Sequence, residues 1–312
     1  MKIGIVTFSS RHKGDVNLVE AYQLAKKARE MGHEATVYQS RYFSFSFDQK
    51  ESALYYKGRP FDKSKIDIAI SRASIYKDVA ERLSVLREFE IMGIPILNNY
   101  KSVLWAKNKF HTFQHLAAKG LPLIKTVLLS HSDYINFAVK KLGGFPLVVK
   151  AASGVEGKGV TIFESERSFR SGIELILKDE DRMDNILLQE YVEAGGIDYR
   201  VFVVGDKVVG QMKRSAKEGD FRANISQGGK GEKADLSDEV RQIAIDATKA
   251  LGLDISGVDI LLAKNGPLIC EVNSSPGLKI SRITSTDIER EIVKMAEKKC
   301  QNHAQKDNSK IK

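Results

Sequence analysis

Cysteine is scarce: only Cys270 and Cys300 occur in 312 residues. Their number and spacing suit neither a disulfide framework nor a zinc site, so a reducing cytoplasm is the expected setting. No stretch approaches the ~20 apolar residues needed to span a bilayer. The opening MKIGIVTFSS has one lysine and too short an apolar run for a signal peptide, and it reads as a first strand. No G-x-G-x-x-G follows that strand, which removes the dinucleotide fingerprint, and G-x-x-x-x-G-K-[ST] is missing throughout. Neither G-x-S-x-G nor a Cys/His arrangement argues for covalent hydrolysis. The lone tryptophan, Trp105, reads with Leu104 and Phe110 as packing. Six scattered histidines include His111 and His115 at helical spacing, but no third zinc ligand accompanies them.

What is plentiful is positive charge. A net charge of +9 favours nucleotide phosphates, acidic peptides or RNA-rich assemblies as partners. Without an RNP, helix-turn-helix or finger pattern, direct nucleic-acid recognition is not expected. Part of the excess lies in QNHAQKDNSKIK, expected to form a flexible polar tail over 301–312.

The length suggests two or three lobes. The first third alternates strand and helix: IGIVTF, ATVYQ, IDIAIS and IPILNN are strands. Asp15 caps a helix bearing Leu18, Ala21, Leu24, Ala25, Ala28 and Met31, closed by Gly32. This βαβ rhythm predicts a parallel sheet over 1–98. Beyond it, helices and hairpins predict two α+β lobes, over 99–186 and 187–300. The expected fold class is therefore mixed α/β and α+β.

The most informative segment is SGVDILLAKNGPLICEVNSSPG. Two apolar runs flank Lys264-Asn265-Gly266, with glycine where a turn needs a left-handed residue. Centring the hairpin on Asn265 sets Asp259 opposite Glu271, with Asn273 on the same face. The other face would be Val258, Ile260, Leu262, Leu268, Cys270 and Val272. Opposed like charges destabilise a sheet unless a cation bridges them, and oxygen ligands suit Mg²⁺ or Mn²⁺. Solvated acids on an edge hairpin are the alternative, and a bulge would shift the register and separate the pair.

Lys150 ends the strand PLVVK and precedes a loop with Gly154, Gly157 and Gly159. Such a loop lets backbone N–H groups approach phosphates, with the lysine as a point charge; it also reads as a plain β-turn. Gln189 and Glu190 end another strand and can offer hydrogen bonds to an adenine edge. Asp198 and Arg200 begin a strand, Lys213 and Arg214 end its partner, and Arg222 with Asn224 follow a Gly-Asp turn. The Arg222 fork suits phosphate oxygens or an acyl phosphate, whereas Lys217 and Glu218 read as solvated. Ser274-Ser275-Pro276-Gly277 can cup an anion or simply turn the chain.

Taken in order, the lysine with its glycine loop, QEYV, the basic hairpin, GDFRAN and D…E-x-N-x-S-P-G resemble the ATP-grasp superfamily. KEGDFRAN, SGVDILLAKNGPLICEVNSSPGL and YYKGR are similar, more narrowly, to RimK-type α-L-glutamate ligases, over nearly the whole chain. The resemblance implies an N-terminal domain and two lobes enclosing ATP. It implies that Lys109 and Lys150 touch the nucleotide phosphates, that Gln189 and Glu190 line the adenine pocket, and that Asp198 lies by the ribose. Arg222 and Asn224 would meet phosphate and metal, with Arg222 the catalytic cation. Asp259, Glu271 and Asn273 would hold two Mg²⁺ or Mn²⁺ ions.

The implied activity is ATP-dependent carboxylate–amine ligation through an acyl phosphate. Its acceptor would be an acidic protein or peptide C-terminus, such as that of a ribosomal protein, extended by glutamate. Arg72 matches an arginine after the third strand of such chains and is a candidate for acidic substrate, with Arg200 and Ser275 beside it. Its setting, SRAS, departs from the family's usual flanking residues and leaves the acceptor open. The alternatives are ligation to a small-molecule acceptor and a nucleotide-binding regulatory protein without turnover. The resemblance also makes a homo-oligomer plausible.

Overall fold

The computed structural model describes residues 1–8, 15–49, 52–75, 77–129, 131–151, 160–176, 186–217 and 229–310. Strand β1 (Lys2–Thr7) leads to helix α1 (Val16–Glu30), where Asp15 accepts from Asn17 N as the cap; Gly32, at φ 85°, follows the helix. Strand β2 (Glu34–Gln39) follows, then a small antiparallel sheet of β3 (Phe43–Phe47), β4 (Ser52–Tyr56) and β5 (Arg59–Pro60). The sequence reading had not placed this sheet. It closes through Lys57-Gly58, both at positive φ, as a two-residue hairpin of strongly twisted strands requires. After β6 (Ile68–Arg72), α2 (Val79–Arg82) and α3 (Ser84–Ile91), β7 (Ile96–Leu97) completes a parallel sheet of order β2-β1-β6-β7. The expected parallel βαβ unit is present.

Helices α4 (Tyr100–Lys107) and α5 (Lys109–Ala118) are separated by Asn108, whose Oδ1 accepts from Phe110 N and His111 N and so starts the second helix. The central sheet contains β8 (Thr126–Leu129), β9 (Leu147–Ala151), β10 (Val160–Phe163) and β11 (Ile186–Glu190), in the order β10-β9-β11-β8. Helices α6 (Ile135–Leu142) and α7 (Glu166–Ile176) belong to the same stretch. The last sheet runs β14-β13-β12-β15-β16, from β12 (Ile197–Val204), β13 (Lys207–Ser215), β14 (Lys230–Lys233), β15 (Ile255–Ala263) and β16 (Gly266–Asn273). Helix α8 (Asp238–Ala250) packs on it, with α9 (Lys279–Thr284) and α10 (Ile288–Lys310) after it. Both later sheets are antiparallel, as the hairpin patterns suggested.

The expected flexible tail is instead the end of α10, which stays helical to Lys310. Its earlier turns are anchored by buried Ile288, Ile292, Val293 and Ala296. Once nucleated, each further residue adds a backbone bond that about offsets the entropy of fixing it, and this polar extension continues the helix.

One apolar core joins the N-terminal sheet to the last sheet. Ile5, Leu24, Ile68 and Leu97 pack with Phe202, Met212, Ile255 and Ile280, and with α10. A polar latch reinforces the joint. Asn98, buried just after β7, accepts from Asp254 N and Ile255 N and donates to Ile255 O and Ser274 O. Buried backbone groups left without partners cost about 1–3 kcal/mol each, so Asn98→Ala should lose roughly 3 kcal/mol or more. Denaturant unfolding measures it; a loss under about 1 kcal/mol would mean that solvent replaces those bonds.

Candidate functional site

The β15–β16 hairpin builds the centre of the site by a different route from the expected one. Its two turn residues are Lys264 and Asn265, so Ala263 faces Gly266, Leu261 faces Leu268 and Ile260 faces Ile269. Continued unchanged, this register would pair Asp259 with Cys270. A bulge at Cys270 intervenes, and beyond it Asp259 faces Glu271 and Gly257 faces Asn273. The bulge therefore creates the acid pair that it was expected to destroy. It also changes the faces. Ile269 is fully buried with Val258, Ile260 and Val272, whereas Leu262 is exposed. Cys270 leaves the apolar side and lies among Lys150, Asp198, Asp259 and Arg214. Burial pushes its thiol well up, so it stays protonated and is no nucleophile.

Asp259 is 4% exposed and held from both sides. Arg200 donates Nε to Oδ1 at 2.7 Å and a terminal nitrogen to Oδ2 at 2.6 Å, while Arg214 reaches Oδ2 at 2.9 Å. Arg214 also grips Asp198 by two bonds. Sheet register explains the arrangement, because Arg200 is the Cα partner of Asp259 and Asp198 that of Arg214. Two carboxylates and two guanidiniums thus balance in a buried layer. Burial works to raise the Asp259 carboxyl, but Arg200 and Arg214 outweigh it and keep it below the usual range. For Asp198 burial prevails, with repulsion from Asp259, and its carboxyl is raised despite Arg214.

Lysines surround Glu271. Lys109 Nζ, at the start of α5, lies 3.9 Å from Glu271 Oε1. Lys150 on β9 is depressed by burial, against the pull of Cys270 and Glu271. Lys107, at the end of α4, is pushed down by burial to about 8, with Glu271 pulling the other way and Arg72 and Lys109 adding to the depression. Lys107 was missed in the sequence. Its signal was the string K-N-K, in which a capping Asn108 breaks the helix and turns the lysines on both sides towards one place.

The remaining candidates divide. Gln189 is 1% exposed and donates Nε2 to Thr126 Oγ1 at 2.8 Å, so its side chain is committed within the sheet. Glu190 accepts from Lys125 N at 3.0 Å and pairs with Lys125 Nζ at 3.2 Å. Arg72, expected to stand open to substrate, is 2% exposed and committed to Glu20 and to the Pro276 carbonyl, at 2.7 and 2.9 Å. It docks the turn after Asn273 against the N-terminal sheet. Arg200, also expected at substrate, is committed to Asp259. Ser275 Oγ is buried in that turn without a hydrogen-bond partner among the described residues. His115 stacks on Trp105 at 3.9 Å, and no group of three or more His, Cys, Asp or Glu suited to a metal occurs among the described residues. Gly154, Gly157, Gly159, Arg222 and Asn224 lie outside the described residues.

Asp259, Glu271 and the Asn273 amide carry hard oxygen donors of the kind Mg²⁺ takes, with both Asp259 oxygens here engaged by Arg200 and Arg214. Their lysine and arginine surroundings fit a polyphosphate. No helix among the described residues is long and apolar enough to cross a membrane.

Comparison with known proteins shows what the whole chain resembles. The profile of the RimK-like ATP-grasp domain matches residues 106–296, and that of the RimK PreATP-grasp domain matches residues 1–103. A protein of Marinomonas sp. (strain MWYL1) named "Probable alpha-L-glutamate ligase" is 38% identical over 300 residues, covering 96% of each chain. Among solved structures, the ATP-grasp ligase PsnB complexed with minimal precursor, Mg and ADP superposes with TM-score 0.71 at 18% identity, covering 96% of this chain and 98% of that one. D-alanine–D-alanine ligase from Bacillus anthracis, complexed with ATP, gives TM-score 0.70 at 19% identity, covering 98% and 99%.

The buried charge layer generates a stability prediction. Arg214→Met would leave the largely buried Asp198 without its guanidinium and beside Asp259, which Arg200 still holds, and breaking such a network costs about 3–5 kcal/mol. Asp198, already raised, would then titrate further above its unfolded value, so the folded variant would bind more protons and gain stability on acidification from neutral pH. Denaturant unfolding across pH checks both. Wild-type stability, or a variant that weakens further on mild acidification, would contradict the account.

Proposed function

This chain belongs to the RimK-like ATP-grasp family, and from that premise we propose that it adds L-glutamate to the C-terminus of an acidic protein or peptide. The family comprises ATP-dependent ligases that join a carboxylate to an amine, using ATP and Mg²⁺. The observation that carries the reading is the facing pair Asp259 and Glu271 with Asn273, ringed by Lys107, Lys109 and Lys150.

In this reading the acceptor carboxylate attacks the γ-phosphorus of ATP, ADP leaves, and an acyl phosphate forms. The amine of glutamate attacks the acyl carbon, phosphate leaves, and the nitrogen loses a proton as the amide forms. Two Mg²⁺ or Mn²⁺ ions held by Asp259, Glu271 and Asn273 would supply charge neutralisation at the transferring phosphoryl group. Lys109 and Lys150 bind the nucleotide phosphates, and Arg222 with Asn224, by family correspondence, completes the cradle. Gln189 and Glu190, at the end of β11, line the adenine pocket, and Asp198 meets the ribose with the lone pairs that Arg214 leaves. Catalysis is mostly positioning and electrostatics, which accounts for the lack of a nucleophilic side chain. A ribosomal protein tail, a cytoplasmic setting and a homo-oligomer fit this activity.

The test is ADP release with Mg²⁺ and ATP across amino acids, with and without a glutamate-ended peptide, products being read by mass. Turnover needing both glutamate and peptide, with addition of glutamyl units, supports the proposal. Ligation of free amino acids alone would move the acceptor to small molecules, and ATP binding without ADP in any combination would point to a regulatory binder. Glu271→Gln should lower turnover at least ~10²-fold while leaving the fold intact, by analogy with loss of one charge-stabilising group. Wild-type rates in that variant would refute the metal assignment.

A further inference from the structure

Beyond the cleft, the small sheet β3-β4-β5 carries a surface that the ligation chemistry does not use. Arg41, Tyr42, Lys57 and Arg59 are exposed there, and Tyr22 on α1 is 52% exposed beside it. The Arg41 guanidinium carbon lies 4.8 Å from the Tyr42 ring centre, and Lys57 Nζ lies 5.3 Å from Tyr42 and 5.6 Å from Tyr56. Tyr22 and Arg41 are both within electrostatic range of the Tyr56 phenol. Among the described residues, no carboxylate reaches ion-pair distance of Lys57 or Arg59. Lys57 lies over the Tyr42 and Tyr56 rings, so a nucleobase would have to displace it before stacking, whereas a carboxylate meets Lys57 and Arg59 directly.

The position of the surface gives it a purpose. The Tyr56 hydroxyl accepts from Gln39 N at 3.4 Å, at the end of β2. Gln39 neighbours Thr7, which neighbours Arg72, all at the C-terminal ends of parallel strands. Two strand spacings make about 10 Å from Gln39 to Arg72. Arg72 then donates to Pro276 O at 2.9 Å, three residues past Asn273 in the chain. The basic tyrosine surface and the acid pair thus lie along one edge of the molecule.

We propose that this surface, built by Tyr22, Arg41, Tyr42, Tyr56, Lys57 and Arg59, docks the acidic chain of the acceptor while its C-terminus occupies the cleft. The inference rests on the acceptor being a peptide. An extended chain rises about 3.3 Å per residue, so the ~10 Å from Gln39 to Arg72 alone takes at least about three residues. Acceptors shorter than that would not feel it.

The test pairs binding with turnover in Lys57→Asn/Arg59→Glu. Asn-Gly keeps the hairpin turn that Lys57-Gly58 makes, so the fold should survive, as thermal unfolding would verify. The probe is a fluorescein-labelled, glutamate-rich peptide of about eight residues, followed by anisotropy at low salt. Weakening of roughly five- to tenfold, about 1–1.4 kcal/mol, is expected from the loss of two exposed ion pairs and one introduced repulsion. The KM of the same unlabelled peptide should rise in parallel, with kcat, the KM for ATP and the KM for a Glu-Glu dipeptide unchanged.

Equal effects on dipeptide and long peptide, no effect on the long peptide, or no binding of it to the wild type would overturn the proposal. So would a single-stranded RNA that binds the surface more tightly than the peptide and displaces it. Peptide binding that the variant weakens, without any peptide ligation, would sustain the surface and sink the acceptor reading instead.

Discussion

Asp259 sits buried with both carboxylate oxygens in guanidinium bonds from Arg200 and Arg214, and three strands must hold register for those bonds to exist. Strand β12 supplies Arg200 and Asp198, β13 supplies Arg214, and β15 supplies Asp259. A lone buried carboxylate would be strongly penalised, so each charge depends on its partners. The layer is neutral as a whole, and this lets the sheet carry largely buried acids without unfolding around them. Glu271 needs no such burial. Its side chain is 43% exposed and faces Lys109 at the edge of the layer, where solvent and lysine share its charge.

The acid pair is useful only if its surroundings are held still, and the N-terminal sheet does this. Asn98 ties the end of β7 to the start of β15 and to Ser274. Glu20 accepts from Leu278 N at 2.7 Å and from Arg72, and Arg72 donates to Pro276 O. The turn after Asn273 is therefore clamped by residues far apart in sequence. An amide, a carboxylate and a guanidinium thus fix the turn that follows Asn273. The shared apolar core between this sheet and β12, β13 and α10 makes the clamp rigid.

Much of this was legible in the sequence because local rules and the fold agree. Alternating apolar residues and Gly266 announced the hairpin, Asp15 and Gly32 bounded α1, and the ordered motifs identified the family. What was not legible depended on contacts across the chain. The Cys270 bulge leaves no local mark, yet it exchanges Leu268 for Ile269 in the core and brings the thiol to the polar side. Arg72 and Arg200 read as open cations because nothing nearby in sequence reveals Glu20 or Asp259 as their partners. Lys107 was hidden for the opposite reason: a helix-ending lysine is ordinary, and only the packing of α4 against β16 gives it Glu271 as a neighbour.

The most direct measurement is Mn²⁺ binding followed by electron paramagnetic resonance, with a non-hydrolysable ATP analogue present. The account predicts that the wild-type protein removes free Mn²⁺ in step with the analogue, and that Glu271→Gln, still folded, leaves most of it free. Binding of Mn²⁺ by the variant as tightly as by the wild type would place the metal elsewhere and contradict the reading of the β15–β16 hairpin.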